Sequence, residues 1–337
     1  MNKKVMFFLL LLTMSVYGGD VSRKGTTGAE LLLIPVGATG IATGGSFAAS
    51  ITGLESIYYN PAGLSKSSGT EVMFNFMTYI ADVNLAYFAM STPIEGIGTV
   101  GMFFKTLDFG DIPITTTEFP DGTGINYSPS YMVIGLTYSK AITDRISIGA
   151  NFKLINEQII NTSATGFAID AGVQYELSKQ LDLAVALKNI GGNMKYSGAD
   201  LQQTTTIPGT ANGSTEGNYE ILTEEFQIPS YFEMSLAYKI NVSNENKIIL
   251  ASTYTANNAL EDVVSVGAEF GYLNTFFLRG GYKYQVENSS DYLYSYSVGA
   301  GVNYELVDGL SLKVDYAYRD VAEFAENNHV FSIILGF

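Results

Sequence analysis

From residue 71 to the end of the chain, apolar and polar residues alternate in segments of roughly ten, broken by turn residues. The C-terminal half shows this most clearly. Tyr294, Tyr296, Val298, Ala300, Val302 and Tyr304 fall on one parity, and Ser295, Ser297, Gly299, Gly301, Asn303 and Glu305 on the other. The next segment sets Leu310, Leu312, Val314, Tyr316 and Tyr318 against Ser311, Lys313 and Asp315. Earlier, Ile146, Ile148, Ala150, Phe152 and Leu154 interleave with Ser147, Gly149, Asn151 and Lys153. A period of two sends the two sets to opposite faces of a sheet. Fourteen such strands are predicted, over 71–80, 82–91, 98–106, 128–140, 145–157, 164–177, 180–190, 228–240, 246–256, 260–272, 274–286, 292–306, 309–319 and 329–337. An even number of antiparallel strands of spanning length marks a bacterial outer-membrane barrel. The expected fold is all-β: a 14-stranded antiparallel transmembrane β-barrel over 71–337, with an N-terminal hatch over 19–70 and a signal peptide over 1–18.

A soluble β-sandwich alternates too, but two features weigh against it. Connections alternate in length: those at 141–144, 178–179, 273 and 307–308 are short, whereas 107–127, 191–227 and 320–328 are long. Short periplasmic turns opposite longer external loops are expected of a barrel in the bacterial outer membrane with both termini periplasmic. Outward tyrosines also gather in two sets, Tyr138, Tyr175, Tyr238, Tyr272 and Tyr304 at periplasmic strand ends and Tyr254, Tyr284 and Tyr318 at external ones. Amphipathic rings favour the membrane–water interface, so these read as two girdles. The last strand carries Phe331, Ile333, Leu335 and Phe337 on one face and ends on an aromatic. This resembles the C-terminal signal of outer-membrane barrels, which implies the barrel-assembly machinery and outer-membrane lipid as partners.

Composition agrees. Of 337 residues, 47% are hydrophobic and 15% charged, where a soluble domain carries about 25% charged residues. With 23 Tyr and 20 Phe the chain is too aromatic for disorder. Beyond residue 13 no run of 18 apolar residues offers a helical span. The start, with Lys3 and Lys4, apolar Val5 to Leu12 and small Gly18 and Gly19, reads as a secretory signal peptide cleaved after Gly18. No cysteine is present to carry a lipid or a disulfide. Losing Lys3 and Lys4 moves the net charge from −15 to −17, which argues against nucleic acid as a partner.

Residues 19–70 do not alternate. Gly37, Gly40, Gly44 and Gly45 interrupt them, and no Gly-Lys-Ser/Thr follows to make a phosphate loop. A fourteen-stranded lumen is wide enough to need filling, and this segment, folded inward, is the obvious filler. The stretches Gly28–Ser50 (GAELLLIPVGATGIATGGSFAAS) and Glu55–Lys66 (ESIYYNPAGLSK) resemble the N-terminal signature of the PorV/PorQ family. Within them, Asn60, Pro61, Ala62, Gly63 and Leu64 also resemble the plug of FadL-type long-chain fatty acid transporters. The similarity continues more weakly through Thr106–Gly124 and Ala141–Ile159 and covers about the first half of the chain. It implies a fourteen-stranded barrel with an N-terminal hatch. Thr39 departs from the basic or small residue expected in relatives, so no binding role is carried over to it.

Nothing in the sequence asks for catalysis, a metal or a cofactor. His329 is the single histidine, with Asp320, Glu323 and Glu326 near it in sequence, and no two-histidine spacing exists. Charge placement says more. Loops 107–127, 191–227, 287–291 and 320–328 hold fourteen acids and one base, Lys195, a field that attracts cations or a basic protein surface. Lumen positions look balanced, with Lys153, Lys188, Lys239, Arg279, Lys283 and Lys313 against Asp170, Glu176, Glu233, Glu269, Glu305 and Asp315. The first three strands are expected to present Met73, Met77, Tyr79, Phe88, Met90 and Phe103 inward. Such an apolar wall either lines a pocket for a hydrophobic molecule or packs on Leu31, Leu32, Leu33, Ile34 and Ile41 of the hatch. Gly98 and Gly101 are candidates for a kink in the third strand. Two readings follow. The longer resemblance, to PorV/PorQ, implies a non-enzymatic accessory of type IX-like secretion whose acidic loops receive secreted proteins or secretion subunits. The FadL resemblance implies passive transport of hydrophobic small molecules such as fatty acids.

Overall fold

The computed structural model describes residues 25–206, 216–243, 245–287, 289, 292–305, 309–322, 324 and 326–337. The expected signal peptide, the first residues of the expected hatch, Asp291 and Glu323 lie outside them. Fourteen long strands follow in order: β1 (Glu71–Thr78), β2 (Asn84–Ile94), β3 (Gly98–Asp108), β4 (Ser130–Ala141), β5 (Ile146–Ile159), β6 (Thr162–Ser178), β7 (Leu181–Gly191), β8 (Tyr231–Asn241), β9 (Lys247–Asn257), β10 (Val263–Tyr272), β11 (Phe276–Gln285), β12 (Tyr294–Glu305), β13 (Ser311–Val321) and β14 (Asn328–Gly336). Each pairs antiparallel with its sequence neighbours, and β1 pairs with β14 from Glu71↔Gly336 to Thr78↔His329, so the sheet closes on itself. Closure removes the free edges that lipid cannot hydrogen-bond. The alternation of the sequence becomes inside and outside: Met73, Asn75 and Met77 are buried, while Phe74 and Phe76 face out. The β10–β11 hairpin turns on Leu273 and Asn274, both at positive φ (55° and 50°).

The connections at 95–97, 142–145, 179–180, 242–246 and 273–275 gather at the rim where β1 begins and β14 ends. The long ones, 109–129 and 192–230, sit at the opposite rim and carry short hairpins, among them Gln202–Thr206 against Glu216–Glu220. The wall is not irregular where a kink was expected. β3 keeps unbroken register with β2 and β4 past Gly98 and Gly101. The ladder shifts instead between β6 and β7, at Ile169/Ala171 and at Glu176/Ser178, and between β12 and β13 at Tyr294/Ser297.

Residues 25–70 run through the barrel as short turns of helix: a 3-10 turn Glu30–Leu33, α1 (Ala38–Ala42), α2 (Ser56–Tyr59) and a 3-10 turn Pro61–Lys66. The described chain begins at the rim of the long loops, where Thr27 bridges Gln227 and the Gly28 N–H donates to Gln227 O at 3.0 Å. It reaches β1 at the other rim, where the Phe337 N–H donates to Thr70 O at 2.8 Å. Within the described residues the segment therefore threads the lumen from end to end, and the N-terminus itself lies outside them.

An irregular segment leaves buried backbone groups that need partners. Inward side chains of the wall supply them. Asn151 donates to Ile57 O (2.8 Å), Gln174 to Ala48 O and Ile51 O (3.0 Å each), and Ser139 to Ala62 O (3.0 Å), while Ser332 Oγ accepts from Ala38 N–H (2.8 Å). Strand glycines let the segment come close. A Cβ on Gly172 would lie 2.1 Å from Asn60 Oδ1, and one on its cross-strand partner Gly149 would lie 2.3 Å from Pro61 C. On the other side Gly267 and Gly281, also cross-strand partners, make room for the backbone of Thr43 and Gly44. This is the positional meaning of glycine inside a strand.

Candidate transport lumen

The apolar wall forms first. Met73 and Met77 of β1, Leu85, Tyr87 and Ala89 of β2, Phe103 and Leu107 of β3 and Val133 of β4 are buried in one cluster with Leu31, Leu32, Ile57 and Leu64 of the N-terminal segment. Tyr79 sits at the edge of this cluster, its hydroxyl 2.9 Å from that of Tyr294. Phe88 and Met90, expected inside, point outward. Antiparallel partners share a face, and the register pairs Met73 with Ala89 and Met77 with Leu85, which leaves Phe88 paired with outward Phe74, ring centroids 5.1 Å apart. Both parities of β2 are apolar, so alternation alone carried no phase there.

The Asn60–Leu64 element lies fully buried against β4–β6, with Asn60 reaching β7. Asn60 Nδ2 donates to Val173 O (3.1 Å) and Val185 O (3.3 Å), spanning the β6–β7 seam, while its Oδ1 accepts from the Ala62 N–H (3.1 Å) and caps the following turn. Phe331, Ile333, Leu335 and Phe337 share the outer face of β14, with Phe331 and Phe337 the more exposed.

Charge inside the barrel divides into two groups. Towards the rim of the long loops, the β6–β7 bulge turns Lys188 and Asn189 inward; Asn189 is held at φ 57°, and its N–H donates to Asp170 Oδ1 (2.7 Å). Such a bulge re-aims side chains. Lys153 Nζ stands 2.6 Å and Lys188 Nζ 3.6 Å from Asp170. Lys105 donates to Leu31 O (2.6 Å) and Ile34 O (2.5 Å), tying β3 to the end of the first 3-10 turn, and Lys188 donates to Tyr58 O at the end of α2. Cations at carbonyl ends of helical turns are the favourable placement. Arg319 lies over the Tyr294 ring at 4.0 Å and donates to Asn328 Oδ1 (2.8 Å from Nε). Lys105 and Arg319 upset the balance expected from sequence. Each lies two residues beyond a member of its own inward set, Phe103 and Ala317, so the signal that places them was the period of two itself.

Towards the other rim the charges are matched. Arg279 bridges Glu269 and Asp315, both at 2.6 Å, and Lys313 joins Asp315 (3.2 Å) to Glu55 of the segment (3.3 Å). Glu55 in turn accepts from the Thr39 N–H (3.0 Å). Glu55, Glu269, Arg279 and Lys313 line a polar vestibule of about 700 Å³ that also includes Lys66, Glu71 and Glu305. At the opposite mouth, burial raises the Glu30 carboxyl, opposed by a hydrogen bond from Thr27. In the adjoining loop, hydrogen bonds from the Asn161 side chain and N–H (3.0 and 2.9 Å) hold the Asp200 carboxyl below the usual carboxylate range.

Among the described residues, His329 and Asp320 each take a different partner. The Nδ1 of His329 is 2.8 Å from the Tyr316 hydroxyl on the outer surface, while Asp320 accepts from Ser295 Oγ at 2.8 Å.

No family model and no curated protein matches the chain. Solved structures do match in shape. The Pseudomonas putida toluene transporter TodX superposes with a TM-score of 0.57 at 15% identity, covering 90% of this chain and 99% of that one. The chain has the fold of the FadL-like outer-membrane channels. CymD, described as a monoaromatic hydrocarbon channel, and a Pseudomonas aeruginosa FadL homologue each give 0.54, at 13% and 12% identity, over 90% of this chain and 98% of theirs.

Proposed function

We propose that this chain is a passive outer-membrane conduit for hydrophobic small molecules, with residues 19–70 as its hatch, both barrel ends at the periplasmic rim and the acidic loops outside. The observation that carries the reading is the buried apolar wall of β1–β4. Its contacts with the segment are side chain on side chain, the kind of contact that a hydrophobic ligand can take over. In this reading Met73, Met77, Tyr79 and Phe103 face the passing molecule, Asn60–Leu64 anchor the hatch to the far wall, and Phe331, Ile333, Leu335 and Phe337 serve the assembly machinery. The structural neighbours, hydrocarbon channels by their descriptions, support this reading over secretion, for which neither they nor the lumen offers support.

Uptake of toluene and oleate into vesicles carrying the folded protein tests it. Met77→Asp and Phe103→Asp put a charge on the wall and should cut uptake at least tenfold. Wild-type uptake by both variants would remove the wall from the route.

A further inference from the structure

We propose that the small cavity bounded by Lys105, Lys153 and Lys188 is a binding site for a monovalent anion of halide size. The cavity measures about 20 Å³, with Tyr58, Tyr87 and Asp170 also on its walls. A space of that size takes one particle as large as a water molecule and excludes an organic acid.

Charge and donor geometry give the species its sign. The three lysines are each at most 7% exposed, and Asp170 is the one carboxylate lining the cavity. An ammonium has three donors. Among the described residues, Lys105 directs two at Leu31 O and Ile34 O, and Lys153 directs two at Asp170 and Asn189. Lys188 donates to Tyr58 O and stands 3.6 Å from Asp170. By that count each ammonium keeps one donor beyond these contacts. Tyr87 adds a hydroxyl. It is 4% exposed, lines the same space, and its oxygen has no partner among the described residues. The Tyr58 ring lies about equally far from Lys105 and Lys188, 5.1 and 5.0 Å from their ammonium groups, and spaces them apart. Buried cations outnumbering their carboxylates are costly, and an anion among them offsets that cost.

Two of these lysines, Lys105 and Lys188, hold Leu31, Ile34 and Tyr58 of the N-terminal segment, so an occupied site stiffens the link between segment and wall. This goes beyond the transport reading and does not depend on it.

The test uses the full-length folded protein in sodium gluconate, titrated with sodium chloride at constant ionic strength while thermal unfolding is followed. Chloride and bromide should raise Tm to a plateau, and sulfate and hexanoate should not. Tyr87→Phe keeps the ring and removes one donor, so about fivefold more chloride should be needed, the value of one hydrogen bond. Crystals grown in bromide should show an anomalous peak between the three ammonium groups. A flat Tm, an unaltered chloride response in Tyr87→Phe, or a bromide peak elsewhere overturns the proposal. So does a hexanoate response equal to that of chloride, since it makes the site one for carboxylate groups.

Discussion

The N-terminal segment touches the two sides of its barrel by different means. Against β1–β4 it buries Leu31, Leu32, Ile57 and Leu64 among methionine, leucine and aromatic side chains, with Lys105 and, at the end of β4, Ser139 as polar contacts. Against β5–β13 it meets glycines, amide side chains and ion pairs: Gly172 under Asn60, Gln174 on two carbonyls, Lys313 on Glu55. Apolar packing is non-directional, so its partners can be exchanged with modest penalty. Hydrogen bonds and glycine contacts demand one geometry. One side of the lumen is built to hold the segment in register, and the other can tolerate replacement of what lies on it.

The largest test of that contrast is Arg279→Met, which leaves Glu269 buried without its cation and Asp315 with Lys313 alone. A loss of about 3–5 kcal/mol is expected, read from denaturant unfolding, with much of it restored when Glu269→Gln and Asp315→Asn are added. Gly172→Val comes next. Its Cβ meets Asn60, so the Asn60–Leu64 element must leave the wall, at about 1–3 kcal/mol. Ion conductance in planar bilayers should rise as the element lifts, and wild-type conductance would mean that the glycine contact does not position the segment. On the apolar side Met77→Leu conserves volume and should cost less than about 1.5 kcal/mol with conductance unchanged. A large effect there would erase the contrast. The smallest effect lies outside the lumen. Asp200 has a depressed pKa, so its tether to Asn161 stabilises above the unfolded carboxylate value of about 3.9 and is lost as pH falls through the lower folded value. Protease nicking of loop 192–230 should quicken at pH 3 relative to pH 6 when an acid-active protease is used, and Asp200→Ala should nick at pH 6 as the parent does at pH 3.

How far the sequence shows this follows from which signals are local. Strand positions were legible within a few residues because a half-buried strand writes its own period: Tyr294 to Tyr304 needed no neighbour to be read. Facing was legible where one parity was polar and failed at β2, where Leu85, Tyr87 and Ala89 compete with Ala86, Phe88 and Met90. Only cross-strand register with Met73 and Met77 decides between them. The Asn60–Leu64 motif was visible as a motif, but its docking on Gly149 and Gly172 joins residues more than eighty positions apart. No window along the chain contains that contact. The β6–β7 bulge was hidden for the same reason: Asn189 at positive φ is stabilised by Asp170, which belongs to a different strand.

The threading of residues 25–70 from one rim to the other changes a matter of parity. An even number of strands ordinarily returns a polypeptide to the side from which it set out. Here the unpaired segment adds one more traverse of the lumen, from the rim where Thr27 meets Gln227 to the rim where Thr70 meets Phe337, so that among the described residues Gly25 and Phe337 lie at opposite rims.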